Sequence, residues 1–95
     1  MLEVRFSTRS VADRDRLHVF LVELNPNAAE RAMSVLARAI DDIAAFPQIG
    51  RAGPPGYRRL LVRFGKGGYE IRYRLYPDRA VITRIFHTRE DRTQA

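Results

Sequence analysis

The chain of 95 residues contains no cysteine, two histidines and a single lysine. The absence of cysteine excludes disulfides and thiolate metal sites, and it fits a reducing compartment. With only His18 and His87 available, we expect no metal site and no cofactor. No apolar run approaches the ~20 residues that span a bilayer, and no leader-peptide pattern opens the sequence. These absences predict a cytoplasmic protein without a membrane partner.

The positive charge is unevenly distributed along the chain. Residues 1–56 hold seven basic and seven acidic side chains, whereas residues 57–95 hold ten basic and four acidic, so the formal charge of +6 belongs to the second part. Sixteen of the seventeen cations are arginine. Arginine keeps its charge, binds phosphate or carboxylate through a planar fork, and stacks on bases. The pattern favours a nucleic acid, a nucleoprotein or an acidic protein as partner, although a solvated basic surface gives the same composition.

The first half of the chain predicts one strand followed by two helices. Alternating apolar residues over positions 2–6 indicate a short strand with one buried face. Ser10 is predicted to cap the first helix, with Asp13 in its first turn. The apolar positions of that helix form one stripe, predicted to face the core: Leu17, Phe20, Leu21 and Leu24. The segment 25–27 then breaks the chain, with Pro26 or Asn27 opening a second helix, whose three-four apolar spacing continues to Phe46-Pro47.

The second half changes to the period of two that is typical of strands. Residues 47–56 carry three prolines and three glycines and predict a loop. Apolar residues then alternate over 60–64 and 69–75, on either side of a glycine-rich turn at 65–68. A second turn at 76–79 leads to a last strand, Ala80 to His87, with Ile82 and Phe86 predicted on one face.

These elements predict an α+β fold of order β-α-α-β-β-β, a single domain over residues 1–95. The helical hairpin should pack on one face of an antiparallel sheet, leaving the other face to solvent. That open face is predicted to be concave and basic. Its expected arginines are Arg59, Arg63, Arg72, Arg74 and Arg84.

The residues leave few kinds of catalysis open. The glycines at 65–68 join two strands and so predict a hairpin turn, not a phosphate-binding loop. No serine is suitably placed for a Ser-His-Asp arrangement. A metal-free phosphodiester cleavage remains conceivable, with His87 as acid or base and Arg63, Arg72, Arg84 and Arg89 neutralising the transition state. Equally, His87 could end its strand and hydrogen-bond locally.

Five short motifs, in order and sensibly spaced, resemble the ParE/RelE superfamily of bacterial type II toxin–antitoxin toxins. They span residues 25–29 (NPNAA), 46–51 (FPQIGR), 57–62 (YRRLLV), 68–73 (GYEIRY) and 82–90 (ITRIFHTRE). The likeness runs over about residues 3 to 92. It implies a cytoplasmic toxin that forms a hetero-oligomer with a cognate antitoxin, whose acidic C-terminal segment folds across the helical hairpin and the basic sheet. It also implies structural roles for Pro47, Gly50 and Gly68.

Members of that superfamily differ in target. ParE-like toxins inhibit DNA gyrase and replication, whereas RelE-like toxins are endoribonucleases that cut messenger RNA on the ribosome. The mRNA-cutting enzymes tend to carry a basic residue after the Gly-Tyr of the penultimate strand, where this chain has Glu70, and no tyrosine follows Tyr76. We therefore favour the gyrase inhibitor, which is not an enzyme, over the RelE-like ribonuclease.

The resemblance also suggests which residues carry function. In the gyrase interpretation six residues bind the target and the antitoxin: Arg59, Arg63, Arg72, Arg84, His87 and Arg89. In the RelE-like interpretation His87 and Arg89 become catalytic. A third hypothesis is a non-toxic nucleic-acid-binding module or degenerate toxin. It is disfavoured because Tyr69 and Tyr73 are expected in the core, which leaves the sheet without exposed aromatic residues for base stacking.

Overall fold

A computed structural model describes residues 1–90, which form two helices and five strands. The elements are β1 (Glu3–Phe6), α1 (Thr8–Leu24), α2 (Pro26–Ala45), β2 (Arg51–Gly53), β3 (Tyr57–Phe64), β4 (Gly67–Leu75) and β5 (Arg79–His87). The predicted α+β fold, with its helical hairpin and its three-stranded meander, is confirmed. The candidate-site residues in the second half of the chain lie in β3, in β4, in β5 or in the turn that follows β5.

The sheet has the strand order β1-β5-β4-β3-β2 and is mixed. β3, β4 and β5 pair antiparallel as predicted, whereas β1 pairs parallel with β5. β2 is a three-residue edge strand inside the segment predicted to be a loop, and it pairs with β3 from Gly53↔Tyr57 to Arg51↔Arg59. Such a short strand between prolines and glycines gives no period-two signal.

The start of α2 agrees with the prediction from the sequence, whereas the start of α1 differs from it. α2 begins at Pro26, one of the two predicted positions, and Asn25 caps it, because its Oδ1 accepts hydrogen bonds from the backbone of Asn27 and Ala28 at 3.0 and 3.2 Å. The predicted cap of α1 is wrong. Ser7 is the N-cap and accepts from the backbone N of Ser10 at 3.1 Å. Ser10 is therefore buried inside the helix, and Asp13 lies beyond the first turn.

The core lies between the helical hairpin and one face of the sheet. Tyr69, Ile71 and Tyr73 of β4 are at most 1% exposed, so the predicted core position of both tyrosines is confirmed. They meet apolar side chains of both helices and of β5. The buried partners are Leu17, Ala32, Leu36, Ala39, Ile43, Ala80, Ile82 and Ile85.

A β-bulge in β5 corrects the predicted facing of its side chains. Arg72 pairs with Arg84, but the next residue of β4, Tyr73, pairs with Ile82, so Thr83 is an extra residue. An extra residue shifts the alternation by one. Ile82 consequently faces the helices, whereas Phe86 faces the open side, contrary to the prediction that they share a face.

The apolar stripe of α1 is only partly buried. Leu17 is 5% exposed and Leu21 packs against the core, but Phe20 and Leu24 are 60% and 68% exposed. The prediction that all four face the core is wrong, because a neighbouring position lies about 100° round a helix from Leu21. Phe20 and Leu24 form an exposed apolar edge on α1. No helix within the described residues is long and apolar enough to cross a membrane.

Candidate functional site

Three arginines lie side by side across the open face of the sheet. Arg59 in β3 is the register partner of Arg72 in β4, and Arg72 is in turn the partner of Arg84 in β5. Like charges at directly opposed positions of a sheet repel and destabilise it. The row is therefore stable only with compensating negative charge, which two buried carboxylates supply, Glu70 and Asp13.

Glu70 neutralises the central arginine of the row. Its side chain is 3% exposed and accepts a hydrogen bond from Arg72 Nε at 2.6 Å. In the sheet Glu70 lies opposite Leu61 on one side and Phe86 on the other. The Glu70 carboxylate is thus buried within the open face and paired with Arg72.

Asp13 neutralises the last arginine of the row from α1. Its carboxylate accepts hydrogen bonds from Arg84 Nε at 2.8 Å, from Arg16 Nη1 at 2.8 Å and from the backbone N of Ile85 at 2.9 Å. Burial alone would raise the pKa of Asp13, but these hydrogen bonds outweigh burial and hold the pKa below its usual value. The carboxylate is ionised at neutral pH and holds Arg84 of β5 against α1.

Phe86 is covered by the same two guanidinium groups. The Arg84 and Arg72 guanidinium carbons lie 4.5 and 4.9 Å from its ring centroid, and Arg72 also lies 5.0 Å from the ring centroid of Tyr57. Cations over aromatic faces at these distances attract the ring. Phe86 is thereby 4% exposed although it faces away from the helices. The side chains of Arg72 and Arg84 are themselves only 15% and 16% exposed.

Arg59, Arg63 and Arg74 are exposed arginines of this face. None of the three forms an ion pair with any of residues 1–90. Arg63 lies opposite Gly68, where a side chain would overlap the carbonyl of Val62. Gly68 thus permits the close approach of two strands, which is the structural role inferred from the sequence.

His87 and Arg89 line a separate cavity beside α1. His87 pairs with Tyr69, so its side chain is on the helix side of the sheet, and the two rings meet edge to face with centroids 5.6 Å apart. Burial, and then the nearby charge of Glu90, raise the pKa of Tyr69. The cavity has a volume of about 520 Å³. Its lining residues are Arg16, Leu17, Phe20, Leu21, Tyr69, His87, Arg89 and Glu90.

Hydrogen bonds of the turn after β5 orient His87. Its Nδ1 accepts from the backbone N of Arg89 at 3.1 Å, and its own backbone N donates to Glu90 at 2.7 Å. Arg16 of α1 holds the same Glu90 carboxylate at 3.1 Å. Since Nδ1 is an acceptor, the neutral imidazole carries its proton on Nε2. The local hydrogen bonding anticipated for His87 is therefore present.

The fold and these side chains agree with a known toxin family. The family described as "ParE toxin of type II toxin-antitoxin system, parDE" matches residues 4–92. The chain belongs to the ParE/RelE toxin family. The match covers nearly the same residues as the resemblance found from the five motifs, and it confirms that resemblance.

Individual relatives place the toxin in the same group. It is 40% identical to Toxin RelE1 of Caulobacter vibrioides over 94% of this chain and 96% of that protein. It is 36% identical to Toxin RelE3 of the same organism over 97% and 100% of the two chains. A solved structure described as "Chromosomal ParDE TA system from P. aeruginosa" superposes with a TM-score of 0.74 at 21% identity, covering 92% of this chain and 96% of that one. That structure supports the fold.

In the folded toxin, the site residues predicted from the sequence form two groups. Arg59, Arg63, Arg72 and Arg84 share the open face of the sheet, whereas His87 and Arg89 line the cavity beside α1. Within residues 1–90, no three histidine, aspartate or glutamate side chains are grouped so as to hold a metal ion. The six predicted residues therefore lie on two surfaces, the open face of the sheet and the cavity beside α1.

Sequence reasoning missed several residues that build these surfaces. The sequence predicts Asp13 only as a helix-start residue and Phe86 only as sharing a face with Ile82, and it gives Arg16 and Glu90 no role. The Asp13–Arg16 spacing is compatible with an ion pair within a helix. The partnership of Asp13 with Arg84 joins residues 71 apart in the sequence, so no local pattern could have revealed it.

Proposed function

We propose that this toxin is the growth-arresting member of a toxin–antitoxin pair, and that it inhibits DNA gyrase and so blocks replication. The separation of His87 from the arginine row supports this target. Phosphodiester cleavage requires an acid and a base within hydrogen-bond reach of the reacting atoms, next to the cations that neutralise the transition state. Here the imidazole is on the helix side of the sheet, and the paired arginines are on the open side.

The pairing of the arginines supports a binding role as well. Arg72 donates Nε to Glu70, and Arg84 donates Nε and Nη2 to Asp13, so each cation is already held by a carboxylate. Such pairs orient side chains for recognition of a partner. Glu70 also places a negative charge beside Arg72, which disfavours an approaching phosphate there. The open face is therefore suited to contact a protein target through Arg59, Arg63, Arg72 and Arg84.

A cognate antitoxin is proposed to cover α1 and the neighbouring cavity. Phe20 and Leu24 are exposed large apolar side chains, and exposed apolar clusters mark interaction surfaces. Arg89 lines the same cavity as Phe20. An antitoxin segment with apolar residues for the α1 edge and acidic residues for the arginines matches this combination.

The experiment that tests the target is induction of the toxin in a bacterial host, with DNA and protein synthesis followed separately by pulse labelling. Inhibition of gyrase predicts early loss of DNA synthesis, with protein synthesis continuing. The exposed Arg63→Ala and Arg89→Ala variants should lose growth arrest, whereas Arg38→Ala on α2 serves as a charge-matched control. Early loss of protein synthesis with cleaved messages would overturn the gyrase proposal.

One observation favours the alternative of a ribosome-dependent ribonuclease. His87 and Arg89 are neighbours in one cavity, and the Nδ1 hydrogen bond directs the proton of the neutral imidazole to Nε2. The relatives at 40% and 36% identity also carry the name RelE. Incubation of the purified toxin with translating ribosomes, followed by primer extension on the message, tests this alternative. Cleavage that His87→Gln abolishes would favour it, and intact messages would exclude it.

A further inference from the structure

A second cavity lies between the start of α1 and the open face of the sheet, away from the His87–Arg89 cavity. Its volume is about 530 Å³. Four arginines line it, together with hydroxyl and aromatic side chains. They are Arg9, Arg72, Arg74 and Arg84, with Thr8 and Tyr57. Among the described residues, no acidic side chain lines this cavity.

The cavity has positive charge that the protein itself does not neutralise. Arg72 and Arg84 are balanced by Glu70 and Asp13. Arg9 and Arg74 form no ion pair with residues 1–90, and Arg74 makes only a 3.3 Å contact from Nη1 to the carbonyl of Gly56. Arg9 and Arg74 are exposed, so two solvent-accessible positive charges remain at the cavity and attract anions.

A buried donor at Arg84 also lacks a partner. Asp13 holds Nε and Nη2 of this guanidinium, and the cation–π contact with Phe86 fixes its plane. The remaining nitrogen, Nη1, is buried and makes no hydrogen bond with any of residues 1–90. Buried polar groups are normally hydrogen-bonded, so this donor is suited to a ligand oxygen. Arg84 lines the cavity, so a ligand oxygen that reaches Nη1 would complete the hydrogen bonds of this guanidinium.

We propose that this cavity binds a phosphate of a nucleic-acid backbone. Guanidinium groups match the oxygens of phosphate in a fork geometry, and several of them around one cavity suit a group with oxygens pointing in several directions. Phosphate contacts of this kind position a protein on a strand without reading its sequence. The proposal does not depend on the choice of target, because DNA held by gyrase and mRNA on the ribosome both present phosphodiesters.

The test measures binding of the purified full-length toxin to fluorescently labelled strands. Anisotropy is followed with a short DNA strand, an RNA strand of the same sequence and an oligoglutamate peptide, between about 50 and 200 mM salt. The probe variant is Arg9→Ala with Arg74→Ala, which leaves the pairs at Asp13 and Glu70 intact. The matched control is Arg31→Ala with Arg38→Ala, which removes the same charge from exposed positions on α2. Equal thermal melts establish that both variants are folded.

The variant at the cavity should bind a strand about tenfold more weakly at low salt, and the slope of log K against log salt should fall by about two. The α2 control should stay within about twofold of the parent. Loss on DNA, on RNA or on both supports the site and identifies the source of the phosphate. Equal losses in the two variants, unchanged strand binding, or a loss confined to oligoglutamate would overturn the proposal. The last result would assign the cavity to carboxylates.

Discussion

At the scale of single residues, Asp13 joins α1 to β5 through one buried carboxylate. Asp13→Ala removes the acceptor of Arg84, Arg16 and the backbone N of Ile85 together. Because breaking a buried ion pair leaves an uncompensated charge, the free energy of unfolding should fall by about 3 kcal/mol. Urea denaturation at neutral pH measures the change. Asp41→Ala, at an exposed position of α2, should stay within about 0.5 kcal/mol, and equal effects would show that Asp13 is not a stabilising partner.

The lowered pKa of Asp13 predicts a specific loss of stability in acid. A carboxyl group whose pKa is lower in the folded state contributes its stability fully above the unfolded pKa of about 3.9. That contribution is lost as the pH falls through the folded pKa. Urea midpoints measured from about pH 7 to pH 3 should therefore decline less steeply in Asp13→Asn than in the parent. Parallel curves for the two proteins would show that another group dominates the acid transition.

Two glycines near β2 offer a matched pair of substitutions. A Cβ at Gly50 would lie 2.7 Å from the Tyr73 hydroxyl, which hydrogen-bonds the Gly50 backbone N and the Pro47 carbonyl at 2.8 Å each. Gly50→Ala should destabilise by about 1–3 kcal/mol through overpacking. A Cβ at Gly53 would meet nothing within 4 Å, so Gly53→Ala should be neutral or stabilising by up to about 1 kcal/mol. Thermal melts measure the stability of the two variants. A Gly53→Ala variant that is less stable than Gly50→Ala would contradict this packing.

At the scale of elements, local patterns predicted the parts of the fold that local forces determine. The Asn25 cap, the two amphipathic helices and the meander all follow from neighbouring residues. The extra residue at Thr83 does not, and it places Phe86 on the open face, opposite to the face of Ile82. The candidate site was predictable as a set of arginines on strands. Its division into two surfaces was not, because the extra residue at Thr83 decides that Arg84 faces the open side and His87 the helix side.

The exposed edge of α1 carries a prediction about the antitoxin. Phe20→Glu with Leu24→Glu should leave the stability of the free toxin nearly unchanged, since both side chains are already exposed. If the antitoxin buries this edge, its Kd should rise by at least about tenfold. Titration calorimetry measures the Kd of the antitoxin for the parent toxin and for the double variant. Phe46→Glu is the control, because this exposed residue ends α2 about 30 Å along the helix from Leu24. Unchanged affinity in the double variant would place the antitoxin elsewhere.

At the scale of the whole molecule, charge and apolar surface should contribute separately to antitoxin binding. The +6 charge belongs to the second part of the chain, whereas the apolar edge belongs to α1. A partner that binds only the folded toxin raises its stability by about 2.7 kcal/mol at a hundredfold excess over Kd. Salt screens the charged contacts but not the apolar ones. The rise in Tm caused by the antitoxin should therefore shrink, but not vanish, with added salt. In the Phe20→Glu with Leu24→Glu variant, the part of the rise in Tm that persists at high salt should disappear. A rise in Tm that does not depend on salt in either protein would show that the arginines do not contact the antitoxin.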